Sequence, residues 1–276
     1  MEDRMKTIKT LIAASIFSLS MASVSYVQAG NDQLAQAIAG EHRSAENKAR
    51  DQYRNPKQTL EFLGFNSSMT VVEITPGGGW YTEILAPALK GKGKLIGAHY
   101  PDTGEDNYYS NSRKKLVKKL AGNAVFSEVE LSNFVPKKAS ELAPAGTADM
   151  VLTFRNLHNW GEEGVQQVFI DAHKALKSGG VLGVVEHRLP KGVAANDMNR
   201  GYVSVETTIA QAKAAGFELA GSSEVNANEK DKASYEKGVW TLPPRLALGD
   251  KDKEKYLAIG ESDRMTLKFV KVPATY

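Results

Sequence analysis

Histidines and carboxylates are the groups that could carry acid–base chemistry in this sequence, because it contains no cysteine. A chain without cysteine has no disulfide framework, no thiolate zinc site, no cysteine-bound iron–sulfur cluster and no thiol nucleophile. Of the five histidines, three lie at or shortly after the ends of predicted buried strands: His99, His158 and His187. Ligands of open α/β sheets bind beyond the carboxyl ends of strands, so these three are the candidates for proton transfer.

His158 is the first catalytic candidate. It stands in the polar segment Arg-Asn-Leu-His-Asn-Trp at residues 155–160. As a base it would take a proton from an acceptor hydroxyl or amine. An equally supported alternative is that His158 caps the next helix or holds the loop by a hydrogen bond. His187, between Glu186 and Arg188, is the second candidate, although a structural ion pair is the simpler interpretation there.

Two other polar sets have weaker support. The three histidines with Glu186 could form a metal site, but no His-x-x-x-His spacing supports one, so no metal is predicted. The charged residues at 261–264 precede the last predicted strand. They could line a substrate mouth, but the simpler interpretation is a surface salt-bridge cluster of small energetic value.

A glycine-rich loop, Gly77-Gly78-Gly79, lies between a predicted buried strand and a predicted helix. Glycines let the backbone approach a ligand, and the helix N-terminus offers free N–H groups. Two features argue against a nicotinamide dinucleotide site: Thr82 replaces the third glycine, and His99 replaces the ribose-binding acid. A Walker phosphate loop is excluded because no Gly-Lys-Ser/Thr follows. The acid here is Glu73, at the end of the strand before the loop.

An acid at the end of the first strand followed by a glycine-rich turn resembles motif I of class I S-adenosylmethionine-dependent methyltransferases. With the exported, methyltransferase-like proteins of bacteria, the resemblance covers nearly the whole chain; its clearest segments are residues 71–87, 149–160, 179–188 and 259–265. It implies S-adenosylmethionine as the cofactor, cradled by the loop from Glu73 to Gly79. Within that loop, Glu73, Thr75, Gly77 and Gly79 match the motif and would hold the methionine part.

The same resemblance extends the predicted cofactor site. His99 takes the place of the acid that holds the ribose hydroxyls, and Asn133 is placed to bond an adenine amino group. Tyr81 follows the glycines, where it contacts the cofactor or packs the helix on the sheet. The full predicted cofactor set is Glu73, Thr75, Gly77, Gly79, Tyr81, His99, Asn133, Arg155 and Asn156.

The candidate residues must be positioned by strands and helices, which the sequence predicts from short apolar runs that alternate with helical patterns. The predicted strands are residues 69–74, 94–99, 125–131, 149–154, 181–186, 217–225 and 265–272. Helical patterns occupy residues 80–89, 112–121, 162–176 and 205–215, after two N-terminal helices at 33–54 and 57–65. Alternation of this kind predicts an α/β fold with a parallel sheet covered on both faces. No helical pattern separates the last two strands, so the seventh is predicted to be antiparallel.

The resemblance implies the same architecture in more detail. It implies a Rossmann-like, doubly wound, seven-stranded sheet in the order 3-2-1-4-5-7-6, with strand 7 antiparallel. No repeat and no linker divides the chain after residue 29, so residues 30–276 are predicted to form a single methyltransferase-like domain.

Residues 1–29 are predicted to be a Sec-type signal peptide. Lys6 and Lys9 precede a short apolar stretch at residues 11–19, and Val27-Gln28-Ala29 is a small-residue cleavage signal. Early acidic residues fit this pattern poorly, which makes Met5 an alternative start. An uncleaved N-terminal anchor is the competing interpretation. The apolar stretch is shorter than the ~20 residues that a membrane span needs, so no membrane insertion is predicted after cleavage.

The predicted function is methyl transfer from S-adenosylmethionine to a small-molecule acceptor, in the periplasm or outside the cell. The alternative is a non-catalytic periplasmic ligand-binding protein that retains the fold. The formal net charge, 35 − 32 = +3, gives no reason to expect a nucleic-acid partner.

Overall fold

Seven strands form one mixed sheet in the order β3-β2-β1-β4-β5-β7-β6 in the computed structural model, which describes residues 33–191 and 197–272. The strands β1 to β5 are parallel, and β7 runs antiparallel to both of its neighbours. This confirms the predicted order and the direction of strand 7. The strands are β1 (Thr70–Ile74), β2 (Lys94–His99), β3 (Glu130–Asn133), β4 (Ala148–Phe154), β5 (Leu176–His187), β6 (Phe217–Ser223) and β7 (Arg264–Lys271).

Helices cover both faces of the sheet. They are α1 (residues 33–39), α2 (Ala45–Ala49), α3 (Asp51–Arg54), α4 (Pro56–Leu63), α5 (Thr82–Leu89), α6 (Tyr108–Ala121), α7 (Gly161–Ala175), α8 (Val205–Ala214) and α9 (Lys253–Ile259). Side chains alternate between the faces of a strand, so Val71 joins a core with α1, α4 and α5, whereas Val72 and Ile74 join one with α7 and α8. Both faces of the central strands are therefore buried, as the continuous apolar runs predict.

Several element predictions are wrong in position. Helix α6 begins at Tyr108 and β5 at Leu176, four and five residues before their predicted starts. The third strand does not begin at Val125, because Asn123 caps a 3-10 turn at Ala124–Phe126 and the strand starts at Glu130. The predicted helix at 33–54 is three helices: Ser44 caps α2 with its side chain, and Asn55 ends α3 in the left-handed region. Helix α9 lies in a polar segment for which no helix was predicted.

The strand order places the candidate residues at one edge. The order reverses between β1 and β4, and in such sheets this switch point opens a crevice at the carboxyl ends of the strands. His99 ends β2, His187 ends β5, and His158 follows β4, so all three lie along this edge. Nowhere in residues 33–191 and 197–272 is a helix long and apolar enough to cross a membrane. The predicted signal peptide lies outside the described residues.

Candidate functional site

Two strands end at this edge with a residue in the left-handed region of the backbone. Thr75 follows β1 with φ of 50°, and Arg155 follows β4 with φ of 62°. Their backbone N–H groups still donate to the sheet, to the carbonyls of Ala98 and Val185, each over 2.7 Å. A β-branched residue rarely adopts such a conformation, and strained residues of this kind gather at functional sites. Both side chains border the cavities described below.

The glycine loop leaves open space above its backbone. A Cβ atom added at Gly77 or Gly78 would meet no atom within 4 Å, whereas Gly79 lies against the side chain of Lys119. Lys119 donates to the Gly78 carbonyl over 3.0 Å and forms an ion pair with Glu83 of α5. Helix α6 thus holds the loop from behind and leaves its front accessible.

Glu73 supports the loop from below. Its carboxyl oxygen accepts a hydrogen bond of 2.6 Å from the Thr82 hydroxyl at the start of α5, and it borders neither main cavity. Burial raises the pKa of Glu73 to about 7, although the Thr82 bond and the charge of Lys119 oppose this. Glu73 therefore joins β1 to α5, and its direct contact with a cofactor stays a prediction.

The first main cavity, which we call the aromatic cavity, has a volume of about 820 Å³. Its walls include Tyr100, Tyr109, Ser112 and Trp160, together with the Thr75–Gly77 end of the loop. Trp160 donates from its indole nitrogen to the Tyr100 hydroxyl over 3.2 Å, and the rings of Tyr100 and Tyr109 lie 4.2 Å apart. The lining also carries polar and charged side chains, among them Arg200, Glu236 and Lys237. A cavity of this size with aromatic walls can admit a small molecule.

The second main cavity, which we call the arginine cavity, adjoins the first and has a volume of about 410 Å³. The two cavities share a wall of seven residues: Thr75, Gly77, Tyr108, Asn156, Asn159, Trp240 and Arg245. Asn156 fixes this wall, because its amide donates to the Ile74 carbonyl over 3.1 Å and to the Thr153 hydroxyl over 3.2 Å. The arginine cavity is further bordered by Arg50, Arg54, Arg155, His158, His187, Glu261 and Arg264.

Glu186 orients His158 at the edge of the arginine cavity. One of its carboxylate oxygens accepts from the backbone N–H of Leu157 over 2.6 Å. The other accepts from the N–H of His187 over 2.8 Å and lies 3.0 Å from Nδ1 of His158. A carboxylate oxygen only accepts hydrogen bonds, so in the neutral ring Nδ1 of His158 carries the proton and Nε2 keeps a free lone pair. A base held in one tautomer by a buried carboxylate is a recurrent catalytic arrangement.

His187 is less suited to proton transfer. Its Nδ1 is hydrogen-bonded to the Ser262 hydroxyl, and its ring lies 5.3 Å from that of His158. Burial lowers the pKa of His187 well below its usual range, and the nearby His158 and Arg264 lower it further. The structure therefore favours His158 over His187 as the base.

His158, Glu186 and His187 also offer ligand atoms that all lie within 4.8 Å of one another, a spacing that a metal ion could bridge. Both oxygens of Glu186 are already used by N–H donors. The positive charges of the arginines around the cavity also lower the pKa of His187. These contacts do not favour a metal ion held by the three residues.

Besides Glu73 and Gly79, three predicted cofactor residues lie outside the lining of both main cavities. His99 is fully buried and hydrogen-bonds through Nε2 to the hydroxyl of Ser112, which borders the aromatic cavity, over 3.1 Å. Tyr81 is buried and stacks on Phe154 with ring centroids 3.5 Å apart. Asn133 is exposed at the end of β3, opposite His99 in register. Direct contacts from these residues to a cofactor stay predictions, and Tyr81 has the packing role that was its alternative.

Glu261 and Arg264 are not surface residues, so the simpler interpretation of this charged segment is wrong. They are 3% and 2% exposed and border the arginine cavity. The reason is the direction of β7: because it is antiparallel, its first residue, Arg264, pairs with the last residue of β5, His187. The start of β7 therefore lies at the same edge as the carboxyl ends of the parallel strands.

Arg50 and Arg54 were not predicted as site residues, although a separation of four residues would place both on one face of a helix. Residues four apart lie on the same face of a helix, and both arginines point at Glu261. The partner is more than 200 residues away in the chain, so local patterns could not reveal it. Trp240, which covers the shared wall, was missed because its segment lacks any periodic pattern.

Solved structures share this fold. A SAM-dependent methyltransferase from Aquifex aeolicus has a TM-score of 0.53 and 16% identity, over 81% of this chain and 93% of that one. A protein of Bacillus halodurans C-125 classed as a methyltransferase has a TM-score of 0.53 and 15% identity, over 80% and 100% of the two chains.

The [4+2]-cyclase SpnF has a TM-score of 0.59 and 14% identity, over 87% of this chain and 92% of that one. Among protein-family models and curated proteins, nothing matches this chain. At these identities the likeness concerns the fold and does not establish an activity. This chain has the Rossmann-like methyltransferase fold.

Proposed function

We propose that this protein is an exported S-adenosylmethionine-dependent methyltransferase that acts on a small molecule. The observation that carries the proposal is the pair of adjoining cavities that share the Thr75–Gly77 end of the glycine loop. One cavity suits a nucleoside, and the other brings an oriented base, His158, to the shared wall. Such an arrangement places two ligands side by side, which is the main requirement of a group transfer.

The residues present fit the proposed cofactor. The hydroxyl of Thr75 is buried without a hydrogen-bond partner among the described residues, at the shared wall. A buried polar atom of this kind is costly unless a ligand or water satisfies it. The open space above Gly77 would admit the polar methionine part beside Thr75. Tyr100, Tyr109 and Trp160 offer aromatic walls to a purine ring.

When bound, S-adenosylmethionine supplies an electrophilic methyl group on a sulfonium sulfur. The protein's own residues would then position the acceptor and manage its proton. Nε2 of His158 is free to accept a proton from a hydroxyl or amine of the acceptor. Glu186 keeps the ring in place and stabilises the positive charge that the ring gains.

A ligand-binding protein without turnover is the alternative. It is favoured by one observation, which is that the His158 side chain is only 5% exposed. The likeness to SpnF, whose name denotes a cyclase, also shows that this fold does not by itself mean methyl transfer.

Calorimetry with S-adenosylhomocysteine tests the cofactor. We expect the folded protein to bind it, and a folded sample that binds neither this ligand nor S-adenosylmethionine would overturn the proposal. Transfer of label from methyl-labelled S-adenosylmethionine into a small-molecule cell extract separates the two functions. A methyltransferase labels a compound, whereas a binding protein is stabilised by its ligand without turnover.

Export is a separate part of the proposal, and the predicted signal at residues 1–29 supports it. Expression of the full chain in a bacterium, followed by fractionation and mass determination, tests this part. We expect a periplasmic or secreted protein that begins at Gly30. A full-length protein confined to the cytoplasm would contradict export and leave the cofactor proposal standing.

A further inference from the structure

The arginine cavity carries more positive charge than its own acid can balance. Arg50, Arg54, Arg155, Arg245 and Arg264 border it, and Glu261 is the single acid among its described lining residues. The formal charge of this set is therefore 5 − 1 = +4, to which the exposed Arg245 contributes one charge. Buried arginines are normally paired, because an unpaired charge loses its hydration without compensation. The excess needs an explanation.

Glu261 cannot satisfy the donors that surround it. One of its oxygens accepts from Nε of Arg50 over 2.6 Å, and the other accepts from Nε of Arg54 over 3.2 Å and from Arg264. Within the described chain, both terminal nitrogens of Arg54 remain buried without a partner, as do Nη2 of Arg50 and Nε of Arg264. Arg54 is only 2% exposed, so bulk water does not serve it.

Trp80 fixes the orientation of Arg54. The guanidinium of Arg54 lies over the indole ring, 4.6 Å from its centroid. Stacking of this kind holds the planar fork in one orientation at the wall of the cavity. The unsatisfied donors are therefore positioned rather than disordered.

Arg155 adds a fourth guanidinium without an acid of its own. No hydrogen bond or ion pair joins its side chain to another residue in the described ranges, yet it borders the cavity and belongs to the strained turn after β4. Burial lowers the pKa of Arg155 to about 10, and repulsion from Arg264 contributes. A conformation that is strained and electrostatically unfavourable in the absence of a ligand is typical of a binding group.

The proposed cofactor does not remove this excess, because it carries one carboxylate against an ammonium and a sulfonium. Its binding would leave the pair of cavities more positive than before. A planar guanidinium matches a carboxylate or phosphate group, which it binds through two parallel hydrogen bonds. We propose that the methyl acceptor is a small molecule with such an oxyanion, held by Arg54 and Arg155 while its nucleophile faces His158.

This inference rests on the proposed function, and titrations of anions onto the purified protein test it. Inorganic phosphate and benzoate serve as probes, each titrated by calorimetry with and without saturating S-adenosylhomocysteine. The variants are Arg155→Gln, Arg155→Lys and Arg54→Gln. The matched control is Lys177→Gln, which removes one charge at the opposite edge of the sheet, where Lys177 pairs with Asp149.

We expect at least one anion to bind the S-adenosylhomocysteine-saturated protein, and its Kd to rise roughly tenfold to a hundredfold in Arg155→Gln and in Arg54→Gln. Arg155→Lys should recover part of the affinity, because it keeps the charge and loses the fork. Lys177→Gln should leave the Kd unchanged. Without ligand, Arg155→Gln should melt at a higher temperature than the wild type, because an unpaired charge has been removed.

Two outcomes would overturn the inference. One is that neither anion binds the saturated protein, or that the arginine variants bind it as well as Lys177→Gln does. The other is that S-adenosylhomocysteine competes with the anions, since the arginines would then hold the cofactor's own carboxylate. If S-adenosylhomocysteine does not bind at all, the proposed function fails instead. The titrations without it then still decide whether the cavity holds an oxyanion.

Discussion

Glu186 determines how His158 can act, because it fixes the ring nitrogen that carries the proton. Replacing His158 by Asn removes the base and leaves the cofactor end of the site intact. We expect turnover to fall by about 10²- to 10⁴-fold, the usual contribution of general base catalysis, while the Kd of S-adenosylhomocysteine changes little. His173→Asn is the matched control, since His173 lies in α7 away from both cavities. Equal turnover in the two variants would remove His158 from the mechanism.

Glu73 should make the stability of the protein fall as the pH rises. Burial raises the pKa of Glu73 to about 7 from its usual value near 4.5, so the folded state favours the protonated carboxyl. Its effect is absent below pH 4.5 and grows as the pH rises to 7. Above pH 7 the ionised carboxyl destabilises the folded state by about 3 kcal/mol, because each unit of pKa shift corresponds to about 1.4 kcal/mol.

Glu73→Gln should lose this dependence, because its amide oxygen can still accept from Thr82 and it does not ionise. Urea unfolding of both proteins at pH 5 and pH 8.5 measures the difference. We expect the free energy of unfolding of the wild type to drop relative to the variant between these two values. Parallel behaviour of the two proteins would show that Glu73 ionises normally.

At the scale of elements, substitutions of two glycines distinguish a position that is needed for stability from one that is needed for ligand binding. Gly183 of β5 faces the core, where an added Cβ would lie 2.7 Å from Leu152 and 2.8 Å from Leu63 of α4. Gly183→Ala should therefore lower the free energy of unfolding by about 1–3 kcal/mol and leave ligand affinity unchanged.

Gly78→Ala should do the opposite, because its Cβ would project into open space at the arginine cavity. We expect little change in stability and a weaker binding of S-adenosylhomocysteine. Urea unfolding and calorimetry on both variants check the pair. A loss of stability in Gly78→Ala with normal ligand affinity would mean that the loop is structural and carries no ligand.

The elements also show how far sequence reasoning reaches. The strands and the edge that carries His99, His158 and His187 were predictable, because buried strands and their helices leave strong local patterns. The order of the strands was implied by the resemblance to class I methyltransferases and not by these patterns. The break at Asn55-Pro56 was predictable, but the breaks after α1 and α2 were not, since they depend on the Ser44 cap and on a local turn at Arg50. A helix in a polar segment, such as α9, has no apolar stripe to reveal it.

At the scale of the whole molecule, the arginine cavity joins distant parts of the chain. Glu261 precedes β7, whereas Arg50 and Arg54 come from the N-terminal helices, and His158 comes from the turn after β4. Residue types and spacing predicted the histidines but not this charged cluster, because its members meet only after the sheet has formed. The site is thus completed by tertiary packing.

Glu261 should contribute strongly to the stability of the protein. Burial alone would raise its pKa, but Arg264, Arg54 and Arg50 lower the pKa of Glu261 to about 2. A depressed carboxyl pKa stabilises the folded state above its usual value, and this contribution is lost as the pH falls from about 4.5 to 2. Glu261→Gln removes it at neutral pH and leaves the arginines without any acid. Loss of one partner of a buried ion pair costs about 3–5 kcal/mol.

Phosphate should restore part of the stability of Glu261→Gln, because an oxyanion in the cavity would replace the missing carboxylate. We expect its melting temperature to rise with phosphate concentration more steeply than that of the wild type. Sodium chloride at equal ionic strength is the control, because chloride screens the arginines but cannot accept two parallel hydrogen bonds from a guanidinium. An equal response to both salts would mean that the cluster is balanced by screening alone, and that the arginine cavity has no preference for an oxyanion.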